Sequence, residues 1–108
     1  MDRTVKWTEI ANRDLIEVVE FIGRDSRFYA AALVRDVRVV ARSLRIFAER
    51  GRVVPEINVF EIRELFIGNY RLIYKVTSDR VFILGFVHGA RNLTALWDRR
   101  SGPRDKSI

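Results

Sequence analysis

Apolar residues change their spacing halfway along this chain, and that change does most to limit what it can fold into. From Ala11 to Phe47 they recur at helical intervals, whereas from Val59 to Val87 they form short alternating or continuous runs suited to strands. Ala11, Leu15, Val18, Val19 and Ile22 share one face of a first helix, opposite Asn12, Arg13, Asp14, Glu17 and Glu20. Thr8 precedes it as an N-cap and Gly23 supplies a stop. Ser26 caps a second, longer helix with the stripe Ala30, Leu33, Val34, Val37, Ala41, Leu44 and Phe47. Arg35, Asp36, Arg38, Arg42 and Arg45 fall mostly off that stripe. A helix of about 20 residues is roughly 30 Å long. Two helices joined by so short a turn run antiparallel as a hairpin. Gly51 ends the second one and Pro55 bars its continuation.

The strands follow from the other spacing. Thr4 to Trp7 is a short strand ahead of the helices, with Val5 and Trp7 on one face. Val59 to Phe66 alternates imperfectly, and Gly68-Asn69 marks a turn. Tyr70 to Val76 is rich in aromatic and branched residues, and Thr77-Ser78-Asp79 is the next turn. Val81 to Val87 is almost continuously apolar, as a central strand buried on both faces would be. Hairpin-length gaps make these three an antiparallel meander. Leu93 to Trp97 suits one short helical turn. Arg99 to Ile108 reads as a frayed polar tail, broken at Gly102-Pro103. The expected fold is α+β, in the order β-α-α-β-β-β, with a helical hairpin packed on an antiparallel sheet. One domain is expected over residues 1–98 and a polar tail over 99–108.

Composition removes several classes of protein. The chain has 108 residues and no cysteine, which excludes disulfides and thiolate metal sites. Its single histidine and scattered carboxylates lack metal-ligand spacing, and its glycines form no phosphate-binding loop, so neither metal nor other cofactor is expected. No apolar run would span a bilayer, and residues 1–11 lack a signal-peptide core; a cytoplasmic protein with no membrane partner is the expectation. The net charge is +6, and Lys6, Lys75 and Lys106 are the only lysines among 20 basic residues. Arginine forks grip phosphates and carboxylates in pairs, which suits nucleic acid or an acidic protein. An ordinary solvated surface with arginine-rich codon usage reads the same way.

Several short motifs follow one another in order: Trp7-Thr8 with Ala11 and Asp14-Leu15, then Phe47 before Gly51-Arg52 and Pro55, then Arg63-Glu64-Leu65 and Tyr70-Arg71-Leu72-Ile73-Tyr74. The last is the strand end His88-Gly89-Ala90-Arg91. In this order and spacing they resemble the RelE/ParE superfamily of toxins from type II toxin–antitoxin (plasmid stabilisation) systems. The resemblance covers about the first nine-tenths of the chain. It implies a cognate antitoxin whose extended tail wraps the toxin. It also implies one of two activities. ParE-like members trap DNA gyrase on cleaved DNA, and RelE-like members cut mRNA on the ribosome. Fold alone does not choose between them.

A metal-free ribonuclease must draw a proton from the 2′-hydroxyl, steady charge on the phosphate and protonate the leaving oxygen. Arg71 and Arg91 match positions where RelE-type nucleases carry arginines for phosphate. With one extra residue allowed in the Gly68 turn, Glu61 and Arg63 align with two RelE lysines; Arg63 keeps the charge and Glu61 reverses it. Trp97 stands where RelE has a tyrosine, and indole is neither acid nor base. It can stack on a base or cap the sheet as a buried aromatic. His88 suits proton transfer by its ordinary pKa, but a lone strand-end histidine also serves as a hydrogen-bonded structural group. Arg71 can equally face solvent, and Arg91 can be a surface residue. If the chain is a nuclease, Arg63, Arg71, His88 and Arg91 are its candidate catalytic residues. The altered positions point instead to a ParE-like gyrase inhibitor without a catalytic centre. A plain RNA- or DNA-binding module is the third reading, and the strands lack the interleaved aromatic and basic residues of an RNA-recognition sheet.

Overall fold

The computed structural model describes residues 2–101. Its elements are β1 (Thr4–Trp7), α1 (Glu9–Gly23), α2 (Arg27–Ser43), β2 (Arg52–Val53), β3 (Ile62–Ile67), β4 (Tyr70–Val76), β5 (Arg80–His88) and α3 (Leu93–Ser101). The expected α+β order is present, with additions at both ends of the meander. The sheet runs β1-β5-β4-β3-β2. It is mixed, because β1 joins β5 in parallel while the other pairs are antiparallel. The helical hairpin carries the chain across one face, so the strands before and after it land on opposite edges.

Both caps form. The Thr8 hydroxyl accepts from the Ala11 amide at 3.2 Å and donates to the Ile83 carbonyl at 2.8 Å, tying the start of α1 to β5. Ser26 accepts from the Tyr29 amide at 3.1 Å. α2 stops at Ser43, short of the expected end near Gly51. Its last turn tightens, with the Leu44 amide on the Ala41 carbonyl, and successive turns follow. Leu44 and Ala48 stay buried, but Phe47 is 64% exposed, so the stripe drawn from sequence is wrong at that residue. β3 begins at Ile62 rather than Val59. The two-residue edge strand β2 was too short to carry a sequence signal.

The sheet is covered on both sides. On the hairpin side Val37, Ala41 and Leu44 pack with Leu72, Tyr74, Val81, Ile83 and Phe86. The other face buries Ile62, Ile73 and Val87 under Val54, Leu93 and Leu96. Double coverage explains why the central strands read as near-continuous apolar runs. Fully burying one such side chain stabilises the fold by about 1.5–3 kcal/mol.

α3 corrects two expectations. It is longer than one turn, and Arg99 and Arg100 belong to it rather than to a frayed tail. Arg100 grips Asp14 of α1 with bonds of 3.0 and 2.8 Å. The Gly102-Pro103 breaker and the rest of the expected tail lie outside the described residues.

β1 reaches only as far as Ile83 on β5, and the β4–β5 register slips between Ile73 and Tyr74. Past that point Asp14 replaces a neighbouring strand, accepting from the Phe86 amide at 3.0 Å. Among the described residues, no helix is long and apolar enough to cross a membrane.

Candidate functional site

The alternation of β3 and β4 sorts the candidate cations before any chemistry begins. Register pairs Phe66 with Arg71 and Arg63 with Tyr74. Arg71 therefore lies on the α3 side of the sheet and Arg63 on the hairpin side. Tyr70 pairs with His88, whose side chain points away from that of Arg71.

Arg71 is buried, which neither sequence reading anticipated. Its Nη1 donates to Glu56 Oε1 and to Glu64 Oε1, both at 3.1 Å. Its Nη2 donates to Glu56 Oε2 at 2.9 Å and to the Gly89 carbonyl at 3.0 Å, and Nε donates to the same carbonyl at 3.2 Å. A guanidinium has five N–H donors, and all are engaged. Glu64 is wholly buried and also accepts from Arg52 Nε at 2.7 Å. The Phe66 ring lies 5.5 Å from the Arg52 guanidinium and 5.8 Å from that of Arg71.

The electrostatics match this geometry. The hydrogen bond from Arg71 holds the Glu56 carboxyl below the ordinary carboxylate range, against a smaller opposing effect of burial. The hydrogen bond to Glu56 raises the Arg71 pKa in turn. The cluster joins the loop after Pro55, the middle of β3, the start of β4 and the turn after β5. No donor of Arg71 is left for a phosphate.

The other three candidates are dispersed. Arg63 donates to the carbonyls of Gly51 at 2.8 Å and Glu49 at 3.4 Å, its guanidinium is 4.5 Å from the Phe60 ring, and its Nε has no partner. Beside it the Tyr74 hydroxyl accepts from the Gly51 amide at 2.9 Å. Burial pushes the Tyr74 phenol above its usual pKa. Only glycine fits at position 51, because a Cβ there would come within 2.5 Å of both the Glu64 carbonyl oxygen and the Tyr74 hydroxyl.

His88 is exposed at its strand end. Its Nδ1 accepts from the Ala90 amide at 3.1 Å, and its ring meets Tyr70 edge-on. Arg91 is exposed, with its amide bonded to the His88 carbonyl. Trp97 is half-buried against the α3-side core, and Glu61 is exposed just before β3. Arg71 and Arg63 are thus separated by the sheet, and the groups that face Arg71 are the carboxylates of Glu56 and Glu64 rather than the imidazole of His88.

The sequence reading missed Glu56, Glu64, Arg52, Asp14 and Arg100. Glu64 lay in a recognised motif, diagonal to Arg71 across neighbouring strands, and opposite charges at that spacing were the available signal. An apolar cavity of about 340 Å³ opens beside α3, lined by Ile10, Ile73, Phe82, Leu84 and Trp97 among others. Among the described residues no group of histidine and carboxylate side chains could hold a metal.

A helical hairpin on one face of a five-stranded mixed sheet, with β1 beside β5, is the RelE/ParE-like fold. A chain from the chromosomal ParDE TA system of P. aeruginosa shares it with a TM-score of 0.65 at 21% identity, over 80% of this chain and 95% of that one. A chain of the RelBE2 toxin–antitoxin complex of Mycobacterium tuberculosis matches with a TM-score of 0.54 at 22% identity, over 82% of this chain and 99% of that one. No curated protein matches significantly in sequence. Residues 5–93 match the family model described as ParE toxin of type II toxin-antitoxin system, parDE. The chain belongs to that family.

Proposed function

We propose that this chain inhibits DNA gyrase and is held inactive by a cognate antitoxin. The observation that carries the reading is the engagement of Arg71. The arginine best placed by sequence to hold a scissile phosphate is committed to Glu56, Glu64 and the Gly89 carbonyl. A protein that acts by binding needs no catalytic cluster, and an Arg71 held in ion pairs is compatible with that mode. Both similar structures come from toxin–antitoxin systems, which supports an antitoxin partner. Exposed Phe21, Phe28 and Tyr29 at the hairpin tip, and the short edge strand β2, leave surface for partners. A gyrase target would place the protein in the cytoplasm.

The test is a supercoiling assay with purified gyrase and no ribosomes. Supercoiling should stop and cleaved DNA should accumulate, and adding the antitoxin should reverse both. Folded protein that leaves gyrase active but cuts mRNA on ribosomes would replace this reading with the RelE-like one, with mRNA and the ribosome as partners.

A further inference from the structure

We propose that one flank of α2 binds the sugar-phosphate backbone of duplex DNA. Arg27, Arg35, Arg38 and Arg42 in α2, and Arg45 just after it, recur at spacings that align them along a single flank. All five are exposed. From Arg27 to Arg42 the row is roughly 22 Å long, at 1.5 Å per residue. Asp36 belongs to the opposite flank. Only Arg45 of the five has an acidic partner among the described residues, Asp2 at 3.1 Å. Elsewhere Arg13, Arg52, Arg71 and Arg100 each meet a carboxylate. Arg27, Arg35, Arg38 and Arg42 thus form a continuous row of cations not neutralised by a carboxylate contact among the described residues.

The surroundings favour an extended polyanion. Beside the row a cleft of about 670 Å³ lies between β1 and α2, and Arg3, Arg38, Arg42 and Arg45 are among its lining residues. Arginine forks pair with phosphate oxygens, and each strand of duplex DNA places a phosphate every 3.4 Å or so along its axis. Single-stranded nucleic acid is a poorer match: Trp7 in the cleft is half-buried against the hairpin-side core and Phe28 stands alone at the start of α2, so no series of stacking platforms follows the row. An acidic amphipathic helix needs apolar anchors at helical spacing. Phe28 and Val39 border the arginine row, but Ala32 and Arg35 stand between them, so they form no continuous run of apolar anchors. The proposal stands whether or not gyrase is the target.

The test uses the full chain and a mixed-sequence duplex of about 20 base pairs, titrated by fluorescence anisotropy between 50 and 200 mM salt. Each phosphate contact contributes about −0.9 to the slope of log affinity against log salt, so four contacts give a slope of about −4. Arg38→Glu with Arg42→Glu should weaken binding about 100-fold at low salt and cut the slope by about 2. Lysine at both positions should retain most of the binding, since backbone contacts depend chiefly on charge. Arg13→Glu with Arg99→Glu makes the same change in net charge elsewhere on the surface and should have little effect. All four positions are exposed, so circular dichroism should show every variant folded. Equal losses from both charge-reversal pairs would overturn the proposal, as would a slope shallower than −1. So would binding of an acidic peptide or single-stranded RNA through the same arginines with no duplex binding.

Discussion

The two faces of this sheet are held by different physics. On the hairpin face, α1 and α2 lay a periodic apolar stripe over Leu72, Tyr74, Val81, Ile83 and Phe86. On the α3 face the apolar cluster is smaller, and beside it Arg52, Arg71, Glu56 and Glu64 form a partly buried ionic network. Apolar burial is non-directional and tolerates repacking, whereas buried charge depends on every partner being in place. A family's fold can therefore persist on the first face while the second changes its chemistry. Here the second face is where a nuclease would need an available Arg71, and Glu56 and Glu64 occupy it.

The largest predicted effect tests that network. Arg71→Ala leaves Glu64 buried with only a half-exposed Arg52 beside it. Removing one partner of a buried pair costs about 3–5 kcal/mol. Chemical denaturation should show the loss. A concerted replacement of Arg71, Glu64 and Glu56 by apolar residues of similar volume should cost far less, since such swaps are often neutral. If the chain acts on gyrase as proposed, that variant should act on it too. Inhibition lost in a folded triple variant would show that the charges act in function. On the hairpin face, Leu44→Ala should cost about 2–5 kcal/mol through the lost contacts and the cavity left behind.

How much of this was readable from sequence divides along the same line. The hairpin, both caps and the strands β4 and β5 follow from local spacing, because each signal lies within a few residues of its effect. Arg71 meets Glu56 across 15 positions, and Asp14 meets Arg100 across 86, with no short-range pattern to announce either. Reading Arg71 as solvent-facing or open to phosphate failed because period-2 alternation says which face a side chain takes, not what covers that face. The α2 stripe failed at Phe47 for a related reason. The helix ends at Ser43, and helical spacing ceases to assign faces beyond it.

Titration separates the faces further, with intermediate effects at opposite ends of the pH scale. Glu56 has a folded pKa below its unfolded value of about 4.5. Its contribution is complete above that pH and is lost as pH falls through the folded value. Tyr74 has a folded pKa raised above its ordinary value of about 10. Its contribution is complete below pH 10 or so and is lost as pH rises through the folded value. Glu56→Gln should therefore flatten the acid limb of a stability profile while leaving the alkaline limb in place. Tyr74→Phe should flatten the alkaline limb alone, at the cost of leaving the Gly51 amide without its acceptor. A profile in which either variant altered both limbs would mean that the faces unfold as one electrostatic unit.

The smallest effect concerns the contact that joins the faces. Asp14 on α1 reaches round the open edge of β5, accepts from the Phe86 amide and is gripped by Arg100 of α3. The two ends of that bridge should not be equivalent. Arg100→Ala removes a part-buried, bidentate ion pair, worth somewhat more than the ~1 kcal/mol ceiling of exposed pairs, and leaves Asp14 bonded to the strand. Its effect should stay local: faster amide exchange at Leu96 and Trp97, red-shifted Trp97 emission, and an unchanged core. Asp14→Ala removes the strand's acceptor as well, and a hydrogen bond to a charged group is worth about 1.5–3 kcal/mol. Protection should then fall at Phe86 as well as in α3. If Arg100→Ala also exposed Phe86, α3 would hold the edge of β5 as well as cover the sheet. The division between the faces would then end at this bridge.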